Sequence, residues 1–163
     1  MKKLACTLLA LLLLLSLGAC KVNTGAETGS GDGDTSSAAS VDPADYNDDL
    51  TGLASCLTAA GYIEGDPTEM EASFIGAKNG RRYSFSYNNS PVTVEMYEYD
   101  EKDAKTADVL KSVDETGSFT ILSTQVEAVH AGRYLLIYSD PSDKEINTSR
   151  RDAVVELFNR FGG

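Results

Sequence analysis

Hydrophobic and polar positions divide the chain into three regimes. Residues 4–17 are an apolar run without charge, and residues 21–44 are a polar tract whose only large apolar residues are Val22 and Val41. From residue 45 onward apolar positions recur periodically, switching between the 3.6 of a helix and the 2 of a strand. Tyr46, Leu50, Leu53, Ala54 and Leu57 share one helical face. Asp42-Pro43-Ala44-Asp45 before them supplies a cap, a first-turn proline and an acid, so order is expected to begin near Asp42, and Gly61 ends the helix.

Asn79-Gly80 is a strong hairpin signal, because both residues accept positive φ. A turn there pairs Ala77 with Arg82 and Phe74 with Phe85, setting Ala72, Phe74 and Gly76 beside Tyr83, Phe85 and Tyr87. Asn88-Asn89-Ser90-Pro91 turns the chain again into the alternating residues 92–99, which completes a three-stranded meander. Asp100 and Asp103 open a second helix with the face Ala104, Ala107, Leu110 and Val113, closed by Thr116-Gly117-Ser118. Residues 119–122 and 126–129 read as two strands, or as one strand bulged near Ser123-Thr124. Ala131-Gly132 leads into residues 133–138, apolar on both faces as a central strand is.

Ser142-Asp143-Lys144-Glu145 has capping-box spacing for a last helix striped by Ile146, Ala153, Val154, Leu157, Phe158 and Phe161. The order α-β-β-β-α-β-β-α, with room for one further strand, predicts a single α+β domain over residues 45–163. It is an antiparallel sheet of about five strands with three helices on one side.

The first two regimes concern location. Lys2 and Lys3 precede the apolar run, which is too short to cross a bilayer, since a spanning helix needs about 20 apolar residues. Positive start, short apolar core and small residues form the pattern of a removable secretory leader over residues 1–19. The junction Leu17-Gly18-Ala19-Cys20 resembles the lipobox of bacterial lipoproteins. That resemblance implies diacylglycerol on the Cys20 thiol, cleavage before it, and a cell-membrane location on the extracytoplasmic face. Two acyl chains suffice for stable anchoring where one does not. Residues 20–44, rich in Gly, Ser, Thr and Asp, read as the lipidated Cys and a flexible linker with a reach of roughly 25–30 Å. In layout the chain resembles the small surface lipoproteins of Gram-positive bacteria, and it is too short for two-lobed solute-binding lipoproteins.

Charge narrows the partners. The chain carries 25 acids and 14 Lys or Arg, a net charge of −11. Loss of the leader removes two Lys and no acid, giving −13. So acidic a surface argues against nucleic acid and against anionic lipid as electrostatic partners. Arg81-Arg82 and Arg150-Arg151 are isolated basic pairs, expected to meet nearby acids.

Candidate chemistry is sparse. Without Cys6 and the lipidated Cys20, Cys56 is the one thiol left, so no internal disulfide forms. Cys56 reads as a packed residue and His130, the single histidine, as a surface residue near a turn. Zinc-ligand spacing, a phosphate loop and a Ser-His-Asp motif are all lacking, so no cofactor, no metal and no enzymatic activity are expected. Loop carboxylates such as Glu64 with Asp66 and Asp140 with Asp143 leave a cell-envelope hydrolase as the alternative. Tyr83, Tyr87, Tyr97 and Tyr99 cluster in the meander, where tyrosine supplies contact area plus a hydroxyl. They are the candidate binding residues for an envelope protein or a small ligand, and an inhibitor or assembly factor would use the same face.

Overall fold

The structure, a computed structural model, describes residues 41–100, 102 and 104–163. The leader, Cys20 and the linker as far as residue 40 lie outside the described residues, as does Asp103. In chain order the elements are α1 (Leu50–Ala59), β1 (Thr68–Glu69), β2 (Asn79–Tyr87), β3 (Ser90–Glu98) and α2 (Ala104–Thr116). They continue with β4 (Ser118–Ile121), β5 (Thr124–Glu127), β6 (Val129–Ala131), β7 (Tyr134–Ser139) and α3 (Glu145–Gly162). Short 3-10 turns occupy Pro43–Asp45 and Ala72–Ile75.

The α+β class holds. Five strands form one antiparallel sheet in the order β1-β2-β3-β7-β6, and β4 and β5 form a separate hairpin. The helices sit on both sides of the sheet rather than on one. Alternation along the strands explains why. On β3, Val92, Val94 and Met96 join α1 and α3 in one core, together with Leu53, Leu57, Val154 and Phe158. Tyr97 and Tyr99 point the other way, into a second core with Leu135 of β7, Val113 of α2 and Phe119 of β4. β7 contributes to both, as expected of a central strand: Tyr134 and Leu136 face one core and Leu135 the other.

The meander is rearranged. Asn79-Gly80 does not turn; it begins β2, where Gly80 lies opposite Tyr97. A Cβ on Gly80 would come within 2.6 Å of the Tyr97 ring, so the glycine is there to make room for an aromatic across the ladder. The hairpin turn is Asn88-Asn89, with φ of 49° and 60° between the closing pair Tyr87 and Ser90. Positive φ at both central residues matches the twist of the flanking strands. Ala72, Phe74 and Gly76 accordingly do not pair with β2; they lie in the 3-10 turn and its cap.

Helix starts also shift. Asp42 caps only the 3-10 turn, and Asp49 caps α1 by accepting from the Gly52 N–H at 2.7 Å. Val41 packs on the α1/α3 core, and its carbonyl accepts from Arg160 at 3.0 Å. Ser142 does not cap α3, whose first residue is Glu145. Ile146 is exposed at 54%, and Asn147 turns inward to 1%. Asn147 donates to Asp140 at 2.8 Å and accepts from Asn88 at 2.8 Å, tying α3 to the β2–β3 turn. Residues 118–127 form two strands, not one bulged strand, and they close on Leu122-Ser123.

Candidate functional site

The α2 side of the sheet is not fully covered, and the gap is a groove. Its floor is made by residues that alternation sends to that side: Arg82 from β2, Glu95 and Tyr97 from β3, and Ile137 from β7. One wall is the segment around the second 3-10 turn, with Met70, Phe74 and Ile75; the other is the β4–β5 hairpin, with Ile121 and Val126. The hollow measures about 390 Å³. A neighbouring hollow of about 360 Å³ shares Phe74, Ile75 and Ile121 with it and reaches Leu122. Phe74 and Leu122 stand at this rim with 61% and 82% of their surface exposed.

One polar constellation lies on the apolar floor. Arg82 donates through Nε and one Nη to a single Glu95 carboxylate oxygen, at 2.9 and 2.6 Å. The other oxygen accepts from the Tyr97 hydroxyl at 2.6 Å. Burial first, and then the bond to Glu95, push the Tyr97 hydroxyl well above the ordinary tyrosine range, so it remains a donor. Among the described residues nothing accepts from the second Arg82 amino group, and the side chain is 42% exposed. The groove therefore offers apolar walls, one hydrogen-bond donor suited to a carbonyl, and a local charge already neutralised by pairing.

The four expected tyrosines do not form one surface. Tyr83, Tyr97 and Tyr99 are buried, at 5%, 5% and 1% exposure. Tyr83 and Tyr87 lie on the α1/α3 side, whereas Tyr97 and Tyr99 lie on the other. Only Tyr97 lines the groove. Tyr87 instead receives Arg150, whose guanidinium sits 4.1 Å from the ring centroid and donates to the Gly61 and Tyr62 carbonyls. Of the basic pairs, Arg81, Arg82 and Arg151 meet Glu69, Glu95 and Asp152, but Arg150 meets aromatic faces.

The remaining candidates are separated. Cys56 is fully buried in the α1/α3 core, and burial pushes its thiol up, away from reactivity. His130 is less exposed than a surface residue, its side chain at 17%, and its ring nitrogens face Asp114 at 2.8 Å and the Gly132 carbonyl. Glu64 and Asp66 lie on an exposed loop. Burial alone would raise the Asp140 carboxyl; hydrogen bonds from Ser90, Asn147 and the Ser142 N–H outweigh it and hold the group below the usual carboxylate range. Among the described residues no three His, Cys, Asp or Glu side chains converge to hold a metal, and no helix is long and apolar enough to span a membrane.

A larger hollow of about 590 Å³ opens near Ser118, Gln125, Tyr138 and Arg151. Its lining is more polar: Gln125 donates to Ser118 at 2.7 Å, and among the described residues the buried Tyr138 hydroxyl has no hydrogen-bond partner. The smaller groove has the apolar lining typical of a binding site. Phe74, Arg82, Glu95, Ile121, Leu122 and Val126 were not legible as a site, because the register that assembles them depends on which turn closes β2. Compared with known proteins, the chain matches no family model, no curated protein and no solved structure.

Proposed function

We propose that the chain is a lipid-anchored, extracytoplasmic binding module without catalytic chemistry. Diacylglycerol on Cys20 holds it at the cell membrane, the linker gives the domain reach, and the groove takes an apolar ligand or partner segment. The observation that carries the binding reading is an apolar hollow of about 390 Å³ floored by Arg82, Glu95 and Tyr97. Ligand sites are concave, mostly apolar, of roughly 300–1,000 Å³, and orient their ligand with a few placed polar groups.

Anchor and groove are tested separately. Cys20→Ala abolishes incorporation of labelled fatty acid; persistent label refutes the anchor. The neutral dye Nile red binds the full chain with a blue-shifted emission, and Val126→Asp, which sets a carboxylate on the groove wall, removes the shift. An unchanged spectrum in that variant refutes the groove.

A further inference from the structure

Two hairpins in this domain close with the same two-residue turn, and only one uses residues suited to it. Asn88-Asn89 adopts positive φ at little cost, since asparagine tolerates the left-handed region. β4 and β5 close on Leu122-Ser123, with φ of 46° and 72°. For leucine this backbone is unfavourable, because Cβ crowds the following carbonyl. The side chain recovers nothing from the core, being 82% exposed. Leu122 is thus strained in its backbone and hydrated in its side chain, and it lines, together with Phe74, the hollow that adjoins the groove. The other large exposed hydrophobic among the described residues, Ile146, lies on α3 and lines neither hollow.

We propose that Leu122 and Phe74 are paired apolar anchors that grip a cationic amphipathic segment of a partner protein. The inference rests on the groove being the binding site and names what it binds. Charge selects the partner. Residues 41–163 keep 22 of the 25 acids and 11 of the 14 bases, a net −11. Within the groove Arg82 is neutralised by Glu95, and among the described residues the exposed Glu71 has no ion pair, its carboxylate accepting only from the Ser73 hydroxyl at 2.5 Å. Lysine or arginine flanking the partner's apolar residues finds Glu71, and a backbone carbonyl of the segment can accept from the spare Arg82 amino group. A second copy of this chain, or an anionic bilayer, is repelled by the same field. Exposed apolar side chains clustered beside a groove mark protein–protein interaction sites.

The experiment uses the full chain and two fluorescein-labelled amphipathic peptides of equal length and leucine content, one rich in lysine and one in glutamate, followed by anisotropy. The lysine peptide binds, and more weakly as salt rises, while the glutamate peptide does not. Leu122→Asn weakens binding at least about tenfold yet raises Tm by roughly 2–6 °C, because asparagine relieves the turn. Phe74→Ser also weakens binding, and Ile146→Ser leaves it unchanged. Equal binding of both peptides, binding of neither, undiminished binding by Leu122→Asn, or Leu122-dependent attachment to phosphatidylglycerol vesicles each overturns the inference. If Nile red still reports the groove in those cases, the binding reading stands without this partner; if it does not, both fall.

Discussion

Asp140 shows how a residue that reads as a loop carboxylate becomes a structural centre. It accepts from Ser90 at 2.5 Å, from Asn147 at 2.8 Å and from the Ser142 N–H at 2.9 Å, so one carboxylate joins the start of β3 to α3. Its folded pKa is depressed, so its contribution is present above the unfolded value of about 4 and is lost as pH falls through the lower, folded value. Asp140→Asn is therefore less stable than the parent chain at neutral pH, and urea titrations find the difference shrinking as pH drops below about 4. A difference that stays constant with pH excludes this role for the charge. The partner was not legible: Asn147 carries no apolar signal, and a polar residue reveals itself as buried only when its hydrogen-bond acceptors are known. The same holds for Gly80, whose small size is explained by the Tyr97 ring across the ladder and not by any turn.

At the scale of elements, periodicity carried well and turn chemistry carried unevenly. The α1 stripe from Leu50 to Leu57, the α3 stripe at Val154, Leu157 and Phe158 and the two-faced apolar pattern of β7 were readable because burial imposes them directly, whereas Tyr46 precedes α1 and Ile146 is exposed. The pairing of β2 was not, because two asparagine-containing turn signals compete nine residues apart and only long-range contacts decide between them. Asn88 has an extra reason to hold its turn, since it both adopts φ of 49° and donates to Asn147 at 2.8 Å. The two contributions can be separated by chemical denaturation. Asn88→Gly keeps the backbone and loses the hydrogen bond, costing about 1 kcal/mol, whereas Asn88→Ala loses both and costs about 2–3 kcal/mol. Equal losses in the two variants remove backbone strain from the account. The Leu122-Ser123 turn gave no sequence signal at all, because leucine is not selected there by the turn.

For the whole molecule, the α+β class followed from the order of helical and strand periods, but the three-layer arrangement did not. Helices fell on both sides because β3 and β7 bury alternate residues on each face, as with Met96 against Tyr97. That arrangement creates the groove, since α2 and the β4–β5 hairpin are too small to cover the second face of a five-stranded sheet. We propose that this gap, on a domain held at the membrane through Cys20, is where the protein meets its partner. The most direct measurement places a photo-crosslinking benzoylphenylalanine at position 74, and in a parallel sample at position 146, of the full chain on intact cells. A discrete adduct is expected from position 74, absent from position 146 and lost when Leu122→Asn is added. The same adducts from both positions, or an adduct at position 74 indifferent to Leu122→Asn, would contradict it.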